Sequence, residues 1–168
     1  MLRTIGAPVL TQVAQSIKVC DDHVLRVIEH MTQALAQYHA QTGYGRAIAA
    51  PQIGESIRLI VMNLGDGAIA LINPEIVWRS NEMQSVWDDC LSVPNHIVLV
   101  ERHSSISLQY SNINGQLRTM EKLDFSTSEL LQHEVDHLDG ILMDMRALQR
   151  DGNKVIRPIS EREIVMRR

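Results

Sequence analysis

The 168 residues predict an α+β fold: short antiparallel strands around a central helix carrying an H-E-x-x-H motif, with one amphipathic helix near the N-terminus. Three observations carry that expectation. Apolar residues recur at three- and four-residue spacing over 22–41, the period of a helix with one buried face. Between 44 and 125 the period falls to two, and the runs are broken by Gly-, Asn- and Asp-rich turns. After 125 a second capped helical stretch begins and ends at a glycine.

Residues 1–20 read as an irregular entry broken by Gly6 and Pro8. Asp21 or Asp22 caps the first helix, Val24, Ile28, Met31, Leu35 and Tyr38 form its apolar stripe, and Gly43 stops it. Its histidines, His23, His30 and His39, fall on a solvated surface. Ile57–Met62 and Ala68–Ile72 flank the turn Asn63-Leu64-Gly65-Asp66-Gly67 and read as a hairpin. Glu75–Arg79, His96–Glu101, Ser105–Tyr110 and Gln116–Leu123 are further strand candidates. Ser126-Thr127-Ser128-Glu129 fits a capping box in which Glu129 reaches back to the helix start. That helix runs through Leu130, Leu131 and Leu138 to Gly140. A last strand is expected near Val155–Ile159, followed by a highly charged tail.

Composition limits what such a chain can do. Sixteen basic residues against twenty acidic ones give a net charge of −4, which offers no field for DNA. No run approaches the ~20 apolar residues of a membrane span, and no charged-then-apolar leader opens the sequence. Two cysteines make no disulfide framework, so a reducing cytoplasm and a single domain over 1–168 are expected.

The second helix carries the chemistry. His133 and His137 are four residues apart, hence on one helical face, and both imidazoles can reach one ion. Glu134 sits at the edge of that face, placed to accept a proton from water at the ion. A catalytic site needs a third ligand, which could be Asp, Glu, His or Cys. Cys90, in Trp87-Asp88-Asp89-Cys90-Leu91-Ser92, is the candidate, whereas Cys20 has no such context and reads as structural. A metalloprotease also fits H-E-x-x-H, but it leaves the Cys90 segment unexplained.

Three segments together resemble the peptide deformylase family. Gly45-Arg46-Ala47-Ile48-Ala49-Ala50-Pro51-Gln52 is similar to its G-h-G-L-A-A-x-Q signature, Asp88-Asp89-Cys90-Leu91-Ser92 to E-G-C-L-S, and Gln132 to Gly140 matches Q-H-E-x-D-H-L-x-G in full. The resemblance, which extends from Gly6 to about Met145, implies a hydrolase that removes the N-formyl group from formyl-methionyl peptides or nascent proteins. By position it implies Cys90, His133 and His137 as metal ligands and Glu134 as general base, with Gln52 and the Leu91 backbone N–H facing the formyl oxygen. It implies Fe(II) in the cell, with Zn or Ni in a purified sample, since thiolate and imidazole suit all three. The implied partner is an N-formylated chain, with transient ribosome contact.

The departures cluster at the implied substrate pocket: Arg46, Ala47, Ile48, Trp87, Asp88, Asp89, Glu129 and Leu130. Ala47 replaces a glycine, which would cost if that backbone needed a positive φ. Glu129 serves either the capping box or an ion pair with Arg46, and Asp89 is the other candidate partner for Arg46. Such a pair would narrow or polarise the site and shift specificity away from methionine. Arg102 is expected to brace the site by pairing with Asp136 or Asp88. These departures keep two alternatives in view: another formyl or acyl amide substrate, and a catalytically weak protein that binds N-termini.

Overall fold

The structure, a computed structural model, describes residues 2–159; the charged tail predicted after Ile159 lies outside them. Helix α1 (Asp22–Thr42) begins with Asp21 accepting from the Val24 amide at 3.0 Å and ends at Gly43, whose φ is 78°. Strands β1 (Ala47–Ala49), β2 (Leu59–Asn63) and β3 (Ala68–Arg79) follow. After them come β4 (Met83–Cys90), β5 (Val93–His103), β6 (Ile106–Ser111) and β7 (Leu117–Met120). Helix α2 (Phe125–Leu138) precedes the short strands β8 (Gln149–Arg150), β9 (Asn153–Lys154) and β10 (Ile156–Pro158). All the pairings between these strands are antiparallel.

The larger sheet runs β1-β2-β3-β6-β7, a second runs β10-β5-β4, and β8 pairs with β9 alone. Side chains alternate across a strand, and the larger sheet uses both faces. Ala47, Ala49, Ile60 and Met62 face α2 and join Leu130, Leu131, Val135 and Leu138 in one core cluster. Their neighbours Ile48, Leu59 and Val61 face the other way, onto Val27, Met31 and Leu35 of α1. Gln132 ties α2 to β5: its side chain accepts from the His103 amide at 2.9 Å and donates to the His103 carbonyl at 3.0 Å.

The structure corrects three expectations. The cap of α2 is Asp124, which accepts from the Thr127 amide at 3.0 Å, so the capping box at Ser126 is not formed and Glu129 is released from it. The predicted run Glu75–Arg79 is the second half of the twelve-residue strand β3, joined across a register shift between Ile72 and Glu75. Strand β4 was not expected at all. Its buried positions hold Asp88 and Cys90 rather than apolar residues, so its alternation is invisible to hydropathy.

Candidate active site

Cys90 is the last residue of β4, where Leu91 and Ser92 make the two-residue turn into β5 and a register shift falls between Asp89 and Cys90. Such a bulge re-aims a side chain, here beneath α2. The next elements are set by the entry segment. The Arg3 amide donates to the Gln52 carbonyl at 2.7 Å and the Ile5 amide to the Ser92 carbonyl at 2.8 Å. The Gln52 side-chain oxygen accepts from the Ala49 amide at 2.8 Å, which fixes the orientation of the carboxamide. Its NH2 then points at Ser92 Oγ, 3.3 Å away, and Cys90 Sγ, 3.7 Å away.

From α2, His137 Nε2 lies 3.1 Å from Cys90 Sγ. His133 turns its Nδ1 to Asp88, 2.9 Å away, leaving Nε2 for the centre. One donor atom each from Cys90, His133 and His137 falls within 4.8 Å of the others, and all three residues are buried. Glu134 is 2 % exposed, and its Oε2 has no hydrogen-bond partner among the described residues. An orphaned buried carboxylate oxygen calls for an explanation, and beside three convergent donor atoms a catalytic role at an ion supplies one. A thiolate, two imidazoles and that carboxyl are a donor set and base that fit one divalent ion with an open position.

Electrostatics match this arrangement. Burial pushes the Glu134 carboxyl up to about 7; His133 opposes this, while Asp88 and Glu129 add to it. Burial and then His133 hold His137 well below the ordinary histidine value, favouring the neutral ring that a ligand needs. Burial works against a charged His133, but Asp88 and then Cys90 outweigh it and raise its basicity. Asp88 would be pushed up by burial, yet His133 and Arg102 hold it far below the usual carboxylate range. Arg102 is buried between Asp88, at 2.8 Å, and Asp136, which also takes Arg146 at 2.8 Å. The sequence left open which carboxylate Arg102 meets, and it meets both.

Beside this centre is an open cleft of about 550 Å³, walled by Trp87, Asp89, Leu91 and Leu130 and reaching His133 and Glu134. Arg46 crosses it to α2, pairing with Glu129 at 2.6 Å. Ala47 also lines the cleft without a positive φ, so its replacement of glycine carries no backbone strain. The left-handed position is Gly45, at φ 102°, where a Cβ would come 2.9 Å from the Tyr38 ring. Ile48, expected in the pocket, faces α1 in the core instead, because β alternation turns it away from its neighbours. Asp88 lines the cleft but spends its side chain on His133 and Arg102. Sequence reasoning gave no role to Ser92 or Arg146, and it read Ser126 as a helix cap rather than as a partner of Arg46. Ser92 was legible as the last residue of its motif; Arg146 has no signal outside the fold.

The sequence profile of the family described as Polypeptide deformylase matches residues 1–152. This chain belongs to that family. It is 37% identical over 142 residues to the peptide deformylase of Thermotoga neapolitana, covering 84% of this chain and 83% of that protein. The crystal structure of peptide deformylase from Thermotoga maritima is similar at TM-score 0.81 and 35% identity, over 89% of this chain and 97% of that one. A peptide deformylase from Synechococcus elongatus, solved with actinonin, is similar at TM-score 0.78 and 30% identity, over 99% and 82%. The family is metal-dependent and removes N-formyl groups from nascent peptides. Among the described residues no helix is long and apolar enough to cross a membrane.

Proposed function

We propose that residues 1–168 form one catalytic domain that hydrolyses the N-formyl amide at peptide amino termini, with one divalent ion held by Cys90, His133 and His137. The observation that carries this reading is the orphaned Glu134 Oε2 beside three convergent donor atoms. Resemblance to the family points to Fe(II) in the cell, with Zn or Ni in a purified sample; a thiolate and two imidazoles accept each of them and do not choose among them. The substrates are N-formylated peptides and nascent chains met in the cytoplasm, the latter during transient contact with the ribosome.

When bound, the ion supplies Lewis-acid polarisation and makes water a nucleophile near neutral pH. The chain's own groups do the rest. Glu134 takes a proton from the attacking water and returns one to the departing amine, so the C–N bond breaks to give formate and a free amino terminus. Charge developing on the formyl oxygen meets the Gln52 NH2, already aimed by the Ala49 amide, and the Leu91 backbone N–H. Gln52 stabilises that charge without adding one of its own. Asp88, held by Arg102, fixes the ring and tautomer of His133.

The test is formate release from formyl tripeptides varied at the first residue, under anaerobic Fe(II) or with Ni or Co, beside Glu134→Gln. Turnover that disappears in Glu134→Gln with the ion still bound is expected. No formate from any peptide by the fully loaded wild type would refute the reading.

A further inference from the structure

The two groups aimed at the formyl oxygen come from different sheets. Gln52 lies in the turn Ala50–Ile53 that follows β1 of the larger sheet, and Leu91 in the turn between β4 and β5 of the second. No ladder fixes their separation, and among the described residues no backbone hydrogen bond joins the two turns directly. The hydrogen bonds that run between them are long ones from the Gln52 NH2 itself, 3.3 Å to Ser92 Oγ and 3.7 Å to Cys90 Sγ. What spans the gap is the entry segment. The Arg3 amide donates to the Gln52 carbonyl at 2.7 Å and the Ile5 amide to the Ser92 carbonyl at 2.8 Å. Arg3 also lies over Gly54, where a Cβ would come 2.9 Å from its Nε.

The side chains of Arg3, Thr4 and Ile5 are exposed, whereas Leu2 packs onto the α1 core cluster and Leu10 is fully buried. The stretch from Arg3 to Ile5 therefore contributes backbone rather than core. Resting on the reading of the centre as a formamide hydrolase, we infer that Arg3 and Ile5 are positioning residues. Their amides strap the Gln52 turn to the Leu91 turn and so set the spacing of the two donors that meet the developing charge. Such donors stabilise a transition state only if they are in place beforehand. A misplacement of about 1 Å can cost on the order of 10²-fold in rate. Ile5 allows the amide to be removed alone. The Ala7 amide donates to the Thr4 carbonyl at 3.1 Å and Gly6 has a φ of 99°, which makes a type II turn with Ile5 in its second position. Proline is favoured at that position, so Ile5→Pro keeps the turn and deletes the donor.

Steady-state hydrolysis of formyl-Met-Ala-Ser by metal-loaded wild type, Ile5→Pro and Ile5→Ala tests this. Ile5→Pro is expected to lower kcat roughly ten-fold or more, with KM and metal content nearly unchanged. Ile5→Ala keeps the amide and should stay within about two-fold of wild type. Beside Gln52→Leu, where one donor of the pair is already gone, Ile5→Pro should add about two-fold or less. A kcat for Ile5→Pro close to wild type, an equal fall in Ile5→Ala, or an undiminished penalty beside Gln52→Leu overturns the inference and leaves the hydrolase reading standing. If Ile5→Pro does not fold, Arg3→Pro removes the other bond and is read in the same way; loss of the fold in both assigns the strap to stability and overturns the inference. If the wild type releases no formate from any peptide, the hydrolase reading fails, and NMR of the Zn-loaded proteins still reads the strap. Signals of the Gln52 NH2 and the Leu91 amide that move in Ile5→Pro but not in Ile5→Ala uphold it, and unmoved signals overturn it.

Discussion

Arg102→Leu should destabilise the protein through charges it leaves behind rather than contacts it loses. Arg102 is 3% exposed, Asp88 5% and Asp136 7%, so all three charges sit away from water. Removing one member of a buried pair typically costs about 3–5 kcal/mol, because its partner stays buried and uncompensated. Asp136 keeps the Arg146 guanidinium at 2.8 Å, although that side chain is 47% exposed and partly screened. Asp88 keeps only the ring of His133, which is a neutral donor when its other nitrogen holds an ion. The loss should thus fall near the lower end, about 3 kcal/mol, or a melting temperature lower by roughly 6–12 °C for a chain of this size. Urea unfolding of the metal-loaded proteins measures it. Arg102→Leu/Asp88→Asn, which also removes the carboxylate charge left without a cation, should lose less than Arg102→Leu alone. A single-variant cost under about 1 kcal/mol, or a double variant worse than the single, would refute the bracing role.

Three further predictions rest on other parts of the fold. Asp124→Ala should cost about 0.5–2 kcal/mol in urea unfolding by removing the cap of α2. The bonds from Thr127 hold the Asp124 carboxyl below the usual carboxylate range. Its contribution is therefore full above the unfolded value and lost as pH falls through the folded one, so the gap between wild type and variant should close in acid. Gly140→Ala should be more damaging than a simple left-handed strain of about 1–2 kcal/mol, measured by thermal melting, because its Cβ would also meet the Thr11 backbone at 2.9 Å. Gln52→Leu should lower kcat by about 10²–10³ with little change in metal content, as expected for a lost oxyanion donor; an unchanged kcat removes Gln52 from the chemistry.

Much of this was legible because it is local. Helix α1 follows the apolar stripe and its Asp21 cap, and the helical spacing of His133 and His137 alone puts both rings on one face. The parts that were not legible depend on other elements. Strand β4 hides its period because function puts Asp88 and Cys90 at its buried positions. Ser126 and Glu129 imitate a capping box, and only the arrival of Arg46 from 80 and 83 residues away shows what they do. Ile48 belongs to the same motif as Ala47 and Ala49, yet the strand's alternation sends it to the opposite face. The second arginine on Asp136, Arg146, comes from the segment after α2, for which the sequence carries no pattern.

Metal bound per chain after gel filtration, in wild type, Cys90→Ser, His137→Ala and Glu134→Gln, tests the centre most directly. The account predicts close to one ion in wild type and in Glu134→Gln, and a marked loss in Cys90→Ser and His137→Ala. Full metal content in Cys90→Ser and His137→Ala would contradict it.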